Sequence, residues 1–372
     1  MGNPFHPTIE NSHLHKKYIP ALDGLRGIAV IMVILFHFFT DVPLFRYGWS
    51  GVNLFFVLSG FLITDILLRT RRQHNYYIHF IIRRCLRIFP LYFLVIIMFF
   101  IAALFLYPLK GQFDYYMMHP FYVWLDLQNW LYIFHPRPGE LLILGHFWSL
   151  SIENQYYFIW PVIVLLINNK KWLAIISMAI ILSFICIRLY LFLVFTDTEK
   201  AFRIQYMTQL DGIAMGGLIA VWMHLYKNTW KNRTLFFAGI IIALHLILWA
   251  IIYLKHSSIP HFNIIGYTSL SAFFGILLII ALSPGMLVNQ YIMQNKFLIY
   301  SGKISYGLYV WHWPVWVIMN LFILNNSTFF PDPASLVRYA FLAGGLILSF
   351  LISHISYNYF ELKFLLLKNK FV

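Results

Sequence analysis

The feature that most constrains this chain is a series of apolar stretches, each about 20 residues long, which recur from end to end with short polar breaks. Only 11% of the 372 residues are charged, whereas an ordinary soluble domain has about 25%. Inside a bilayer such a stretch has to be helical, because each backbone N–H and C=O group must find its partner within the segment. The sequence therefore predicts an all-α polytopic membrane protein.

The apolar stretches predict a bundle of about ten transmembrane helices. We place these helices at residues 27–45, 51–68, 88–107, 147–167, 172–194, 209–226, 235–254, 264–282, 304–324 and 338–360. The helical domain then covers residues 21–362, between polar tails at 1–20 and 363–372. More of the 27 lysines and arginines fall on the N-terminal side of the predicted bilayer than on the other side. Both termini are therefore predicted to be cytoplasmic.

The remaining composition excludes two classes of partner. The formal net charge of +14 does not indicate a nucleic-acid partner, because the basic residues are scattered at helix ends, next to membrane lipids. The two cysteines, Cys85 and Cys186, form neither a disulfide framework nor a zinc motif. We therefore expect no metal site.

Three ionisable residues lie in or beside the first predicted helix, namely Asp23, Arg26 and His37. Arg26 and His37 are eleven residues apart, close to three turns, so they share a helix face. In a helix that begins at residue 27, His37 lies about 15 Å inside, near the middle of a hydrocarbon core about 30 Å thick. Ionisable residues at that depth are costly and usually functional. A structural hydrogen bond between helices is the alternative.

A basic stretch precedes the third predicted helix. Between residues 69 and 87 there are six arginines and no lysine, and the stretch ends in the run from Arg83 to Pro90. Arg84 and Arg87 are one turn apart and face the same way. Arginine suits bidentate binding of phosphate, but anchoring to anionic lipids is equally compatible with this stretch.

Polar residues also follow single faces of the second and fourth predicted helices. Ser149 and Glu153 lie on one stripe of the fourth helix, and a membrane carboxylate needs a partner. We expect that partner to be a histidine or an arginine of a neighbouring helix, in a catalytic or a purely structural pair. Asn53 and Gly60 belong to a small and polar face of the second helix, which predicts either close helix packing or a pathway beside His37.

Three further features have alternatives or structural interpretations. The aromatic residues of the segment 108–146 form either an interfacial belt or a surface for sugar rings. Asp211 precedes a glycine-rich helix face and is expected to make a local ion pair. His312 shares a face with Tyr309 and is interpreted as a hydrogen-bonded core residue rather than as a catalyst.

Six blocks, in this order, resemble the membrane acyltransferase-3 family of bacterial glycan O-acetyltransferases. The blocks are Leu22–Arg26 with His37, Gly51–Phe61, Arg83–Pro90, Phe147–Tyr157, Leu210–Gly217 and Gly302–Pro314. The resemblance implies a bundle of ten or so helices in the bacterial inner membrane. It also implies acetyl-CoA as cytoplasmic donor and a glycan hydroxyl as acceptor, such as that of lipopolysaccharide O-antigen or exopolysaccharide.

The same resemblance assigns residues. The family histidine falls on His37, the arginine-rich block on Arg83–Pro90, and the Ser-x-Glu motif on Ser151 and Glu153. Many family members carry an extra extracellular hydrolase-like domain, and we expect no such domain here. We therefore expect direct transfer rather than a route through a second, external serine.

The expected reaction is acyl transfer from a thioester to an alcohol. His37 is the expected general base, with Glu153 as the carboxylate that orients its ring and Asp23 as the second candidate. The donor phosphates are expected at the arginines Arg26, Arg83, Arg84 and Arg87. The acceptor and the oxyanion of the tetrahedral intermediate are expected at Asn53, Ser59, Trp148 and Ser149.

Transport is the alternative function. A helix bundle with ionisable groups near its midplane also describes a transporter or flippase of a glycan or a small acid. Incorporation of acetyl groups from acetyl-CoA distinguishes the enzyme from the transporter.

Overall fold

The structure is a computed structural model that describes residues 18–105, 110–137, 142–195, 207–226, 262–283, 288–326 and 335–371. The described residues are mainly helical and contain no β-strand. The helices are α1 (Pro20–Phe38), α2 (Gly51–Thr70), α3 (Tyr76–Phe105), α4 (Lys110–Met118), α5 (Pro120–Trp124), α6 (Gln128–Phe134), α7 (Phe147–Leu166), α8 (Lys170–Val194), α9 (Leu210–Leu225), α10 (Tyr267–Leu282), α11 (Lys296–Lys303), α12 (Ser305–Asn325), α13 (Leu336–Ile355) and α14 (Leu362–Leu367).

Within those ranges, seven helical segments are long and apolar enough to cross a membrane. They are Pro20–Phe38, Gly48–Thr70, Tyr76–Phe105, Lys170–Val194, Ile264–Leu282, Ser305–Leu324 and Leu336–Leu367. The more polar α7 and the shorter α9 occupy the fourth and sixth predicted positions. The predicted helix at 235–254 lies outside the described residues. An all-helical chain with several spans is thus confirmed, whereas ten helices and cytoplasmic termini stay predictions.

The first helix begins at Pro20 rather than at residue 27. Proline suits the first position of a helix, and Asp23 in the first turn interacts favourably with the helix dipole. His37 therefore lies in the last turn, about 26 Å from the start of α1. The predicted position of His37 halfway along the helix is wrong, because Asp23 and Arg26 lie inside α1 and not before it.

The third helix also begins earlier than predicted, at Tyr76 instead of residue 88. The arginine block consequently lies inside a helix of 30 residues, with Pro90 in its interior. Arg84 and Arg87 line a cavity within the bundle. Their position inside the helix, together with that cavity, distinguishes them from arginines that only contact lipid headgroups.

The segment between α3 and α7 folds back against the bundle as the short helices α4, α5 and α6. Tyr115, Tyr116 and Tyr132 are buried, and the hydroxyls of Tyr116 and Tyr132 are hydrogen-bonded at 3.1 Å. Trp124 is 42% exposed. These three tyrosines are therefore core residues, a role that neither of the two predictions for this segment included.

Close approach between α2 and α9 depends on glycine. A Cβ atom on Gly60 would lie 1.8 Å from the carbonyl oxygen of Ile213, and one on Gly216 would lie 1.9 Å from that of Val57. Small residues that let backbones approach are a common way to pack membrane helices. The packing interpretation of Gly60 is confirmed.

A buried ion pair joins α8 to α9. Arg188 Nη2 lies 2.7 Å from Asp211 Oδ2, and both side chains are fully buried. Arg188 also donates to the carbonyl oxygens of Thr208 and Ile264 and to the hydroxyl of Thr268. The predicted local ion pair of Asp211 is confirmed, and the additional hydrogen bonds compensate the desolvation of both charges.

Replacement of Gly60 by alanine tests the α2–α9 contact. Gly60→Ala is expected to destabilise the protein by about 3 kcal/mol, the upper end for overpacking, because the obstacle is backbone and cannot rotate away. Thermal unfolding in detergent measures the loss. Gly344→Ala is the matched control, since a Cβ atom there meets nothing within 4 Å, and alanine is favoured in helices by about 1 kcal/mol. Equal stability of the two variants would contradict the close approach.

Candidate functional site

A cavity of about 370 Å³ lies where α1 ends and α2 begins. Its walls are mainly aromatic, with a few polar side chains among them. The lining residues are Val33, Phe36, His37, Trp49, Val52, Asn53, Tyr132, Arg137, Leu142, Gly145, His146, Trp148, Gln209, Tyr267, Tyr309 and Trp313. We call it the aromatic cavity. Apolar walls with a few convergent polar groups are typical of small-molecule sites.

His37 and His312 form a hydrogen-bonded pair at this cavity. His37 Nδ1 lies 3.1 Å from His312 Nε2, and His312 Nδ1 lies 3.0 Å from the carbonyl oxygen of Leu308. A carbonyl oxygen only accepts, so His312 Nδ1 carries the hydrogen and the Nε2 of a neutral His312 is the acceptor. His37 Nδ1 is then the donor, and His37 Nε2 has a free lone pair. The tautomer of both rings follows from these partners.

Aromatic rings fix the orientation of His37. Its ring centroid lies 4.7 Å from that of Trp313 in an edge-on contact and 5.8 Å from that of Trp316. His312 is fully buried. The interpretation of His312 as a core residue therefore holds for its burial, but His312 is also the partner of the candidate base, which the sequence analysis assigned to a carboxylate.

His146 lies beside this pair and precedes α7. Its ring centroid is 5.9 Å from that of His312. Both of its ring nitrogens are buried, and neither makes a hydrogen bond of normal geometry with a described residue. Burial and the neighbouring His312 and His37 lower the pKa of His146 well below its usual range. The polar atoms that line the aromatic cavity therefore include two ring nitrogens of His146 without a normal hydrogen bond to a described residue.

The four residues predicted for acceptor and oxyanion binding are divided by the structure. Asn53 and Trp148 line the aromatic cavity. Asn53 Nδ2 donates to Gln209 Oε1 at 3.1 Å, and the second amide N–H of Asn53 has no partner among the described residues. Ser149 is hydrogen-bonded to Tyr309 and faces a different cavity. Ser59 donates to Glu153, also outside the aromatic cavity.

A second cavity, which we call the arginine cavity, lies towards the start of α1 and has a volume of about 50 Å³. Its charged lining residues are Arg26 from α1, Arg84 and Arg87 from α3, and Glu153 from α7. The guanidinium of Arg84 lies 5.4 Å from the ring centroid of Tyr157, a cation–π contact. Three arginines and one carboxylate leave a net positive lining.

A third cavity, of about 60 Å³, lies between the other two. It shares Arg26 and Glu153 with the arginine cavity, and Val52 and Tyr309 with the aromatic cavity. The three cavities therefore form a row through the bundle, from the arginines near the start of α1 to His37 near its end.

Glu153 does not contact His37 in this structure. Its Oε1 accepts hydrogen bonds from the hydroxyls of Ser59 and Tyr157. The prediction that Glu153 orients the ring of His37 is not supported by the geometry, because the Nδ1 atom of His37 is directed at His312. Glu153 instead lines the same cavity as three arginines, and its hydrogen-bond partners are the two hydroxyls.

Two other predicted residues lie away from these cavities. Asp23 accepts a hydrogen bond of 2.8 Å from the hydroxyl of Tyr18, and burial and this carboxylate raise the pKa of that phenol. Asp23 is therefore not the second partner of His37. Arg83 donates from Nε to the carbonyl oxygen of His79 at 3.3 Å. It lies on the flank of α3, and only Arg26, Arg84 and Arg87 of the four predicted arginines line the arginine cavity.

Ser151 belongs to a buried polar network that holds the α5–α6 segment against α7. Its hydroxyl is 2.8 Å from Asp126 Oδ1, and Asn154 donates to the other oxygen of Asp126. The backbone N–H of Gln128 donates to Ser151 at 3.2 Å. Of the Ser-x-Glu motif, Ser151 therefore stabilises the packing of α7, and Glu153 lines the arginine cavity.

Sequence reasoning missed two partners. His312 lies in α12, 275 residues after His37 in the chain, so only the fold brings the two rings together. Tyr157 lies one turn after Glu153, and that spacing could have identified it as a donor.

Comparisons with known proteins identify the family of the chain. Residues 19–355 match the family described as acyltransferase domain. The chain is 31% identical over 323 residues to the peptidoglycan O-acetyltransferase OatA of Listeria monocytogenes, covering 81% of this chain and 50% of that protein. It is 29% identical over 359 residues to the O-acetyltransferase OatA of Staphylococcus aureus, covering 93% and 57%.

A third relative is the putative peptidoglycan O-acetyltransferase YrhL of Bacillus subtilis, 29% identical over 330 residues, covering 82% of this chain and 49% of that protein. The chain thus spans about half the length of the curated relatives it matches. No solved structure matches the chain.

The hydrogen bond from Tyr157 to Glu153 can be tested by removing one oxygen. Tyr157→Phe keeps the ring under Arg84 but leaves a charged acceptor short of a donor, which is expected to cost about 1–3 kcal/mol of stability. Thermal unfolding in detergent is the measurement. Tyr190→Phe, at an exposed tyrosine of α8, is the control and should change little. Identical midpoints for both variants would show that the hydroxyl of Tyr157 contributes nothing.

Proposed function

Because this chain belongs to the acyltransferase domain family, we propose that it is a membrane O-acetyltransferase. It moves an acetyl group from acetyl-CoA to a hydroxyl of an envelope glycan. The names of the relatives make peptidoglycan the first acceptor to test, ahead of lipopolysaccharide O-antigen or exopolysaccharide. Since those relatives are named acetyltransferases, transport is not proposed.

The observation that carries the proposal is the His37–His312 pair at the aromatic cavity. A base for an attacking hydroxyl needs an unprotonated nitrogen held in a fixed orientation. His312 accepts from His37 Nδ1 and so leaves His37 Nε2 to take the proton. In this arrangement His312 has the orienting role that a carboxylate has in a serine-hydrolase triad.

The proposed reaction uses this geometry. As the acceptor oxygen attacks the thioester carbonyl, its proton passes to His37 Nε2. The tetrahedral intermediate collapses, the C–S bond breaks, and the departing CoA sulfur takes the proton back from His37. The free amide N–H of Asn53 is a donor for the intermediate oxyanion. We retain Asn53 in that role and not Ser59, which donates to Glu153.

The donor is expected to enter from the arginine cavity. Arg26, Arg84 and Arg87 offer guanidinium groups for the diphosphate of CoA, and arginine matches phosphate in bidentate geometry. The row of cavities then gives a path for the pantetheine arm towards His37. This assignment requires that the arginine end of the bundle is cytoplasmic, which agrees with the distribution of basic residues and with a location in the bacterial inner membrane.

The acceptor is expected to enter from the aromatic cavity. Trp148 and Trp313 line it together with polar groups such as Asn53. Faces of aromatic rings cover the apolar faces of a sugar, while amides and histidines bind its hydroxyls. With donor and acceptor on opposite sides of His37, direct transfer between them is geometrically simple.

Variants of the histidine pair test the base. His37→Ala is expected to lower acetyl transfer by about 10²–10⁴-fold, the usual contribution of general base catalysis. His312→Leu should also lower the rate and move the pH–rate profile, because it removes the acceptor for His37 Nδ1. His312→Gln should keep more activity, since its amide oxygen can accept the same hydrogen bond.

These variants are measured by acetyl transfer to the glycan in membranes, followed by mass spectrometry. His74→Ala, at an exposed turn, is the control. Near-normal transfer by His37→Ala would exclude His37 as the base, and equal activity of the two His312 variants would exclude the orienting role.

Arginine substitutions test the donor site. Arg84→Ala combined with Arg87→Ala is expected to raise the KM for acetyl-CoA by about tenfold or more while changing kcat less, because charge-assisted hydrogen bonds to phosphate contribute to binding. Arg72→Ala is the control, since Arg72 is exposed and does not line the arginine cavity. An unchanged KM in a folded double variant would assign these arginines to lipid anchoring.

A further inference from the structure

We propose that Lys368, at the end of the last long helix, binds the 3′-phosphate on the adenosine of the acyl donor. The consequence is that the protein prefers CoA to 3′-dephospho-CoA. The inference rests on the proposed function, in which acetyl-CoA is the donor, and it adds the group that recognises one particular phosphate.

The path of the last helix brings Lys368 to the arginine block. From α13 the chain continues through a π-helical turn, Ser356–Glu361, into α14 and then into a 3-10 turn, Lys368–Lys370. The ring of Phe371 contacts the ring of His79 on α3, with centroids 6.3 Å apart. His79 lies one turn before Arg83, and its backbone carbonyl oxygen accepts the Nε–H of Arg83. The 3-10 turn is therefore docked beside the arginines of α3.

The electrostatic surroundings of Lys368 favour an anion. Lys368 is half-buried, and burial followed by four arginines lowers its pKa to about 7. The charged groups that dominate there are Arg87, Arg84, Arg26 and Arg83. The carboxylate of Glu361, on the same segment, accepts a hydrogen bond of 2.9 Å from Ser356. Cations assembled in this way repel one another, and a multiply charged phosphate relieves that repulsion.

The order of the chemical groups along CoA determines which phosphate lies near Lys368. In CoA the thioester is followed by the pantetheine arm, then by the diphosphate, and last by the adenosine with its 3′-phosphate. In the protein, the third cavity lies next to the one that His37 lines, and Arg26, Arg84 and Arg87 come after it. If the acyl group lies at His37 and the diphosphate in the arginine cavity, the 3′-phosphate lies further outward. Of the lysines at that end, Lys368 is half-buried, whereas Lys363 and Lys370 are exposed.

The residue type agrees with this assignment. The 3′-phosphate is a terminal monoester with three free oxygens, which a compact ammonium can approach from several directions. The diphosphate, in the middle of the donor, is the group for which the planar forks of arginine are suited. The two kinds of cation thus match the two kinds of phosphate.

Binding of two nucleotides to the purified full chain tests the inference. CoA and 3′-dephospho-CoA are titrated against the wild-type protein, Lys368→Gln, Lys368→Arg and Lys370→Gln. Wild-type protein is expected to prefer CoA by about tenfold or more, and Lys368→Gln to lose about tenfold of that preference, which corresponds to about 1.4 kcal/mol. Lys368→Arg should retain most of it. Lys370→Gln, at an exposed residue of the same turn, should retain all of it.

The outcomes separate the two proposals. A wild-type protein that binds CoA and 3′-dephospho-CoA equally contradicts the role of Lys368 and leaves the proposed function standing. A wild-type protein that binds neither nucleotide contradicts both. If Lys368→Gln weakens the binding of both nucleotides equally, the inference is overturned. Such a result would mean that Lys368 acts through packing or through the overall positive charge of the site. Thermal unfolding of each variant verifies that the comparison is between folded proteins.

Discussion

Every ionisable side chain inside an apolar bundle has to be compensated, and the way this chain compensates its buried charges separates scaffold from site. The ion pair of Arg188 and Asp211 is fully satisfied within the protein: both side chains are fully buried, and five further hydrogen bonds are made by the guanidinium or the carboxylate. The arginine cavity is different, because its one lining carboxylate, Glu153, faces three arginines. A fully satisfied pair stabilises a fold, whereas an excess of one sign inside a cavity creates affinity for a ligand of the other sign.

The aromatic end of the bundle is compensated without charge. His312 Nδ1 donates to the carbonyl oxygen of Leu308, and His312 Nε2 accepts from His37 Nδ1, so each ring has a defined tautomer. A neutral pair is cheaper to bury than a histidine–carboxylate pair, because neither member must lose the hydration of a full charge. Because a full charge is costly to bury, the positive charge on His37 in the proposed reaction is short-lived. This cost favours rapid return of the proton to the leaving sulfur.

Apolar length predicted the long helices well where no charge interrupted them. The fifth predicted helix, 172–194, differs from α8 by two residues at its start, and 147–167 differs from α7 by one residue at its end. The same criterion failed for α1 and α3, because Arg26 and Arg84 were assumed to lie outside a bilayer segment. Arginines that face an internal cavity are not exposed to lipid, and only the packing of the neighbouring helices reveals that.

The candidate site was predictable in its residue types but not in its pairings. The spacing of Arg26 and His37 placed both on one face of a helix, and both do line the row of cavities. The sequence could not predict whether Glu153 lies near a histidine or near arginines. It does not reveal which turn of α7 packs against which turn of α1. A shift of six residues along an antiparallel neighbour moves a side chain by about 9 Å, which is enough to exchange one partner for another.

The length of α1 also limits the kind of donor. Arg26 and His37 are eleven residues apart, about 16 Å along the helix axis. A donor whose phosphate lies at Arg26 must therefore deliver its acyl group far from that phosphate. An acyl phosphate, in which carbonyl and phosphorus share one oxygen, cannot reach both residues at once. An acyl group on a long arm can, and the pantetheine of CoA is an arm of that kind. In the proposed site, the separation of cation and base on one helix therefore suits an acyl-CoA donor.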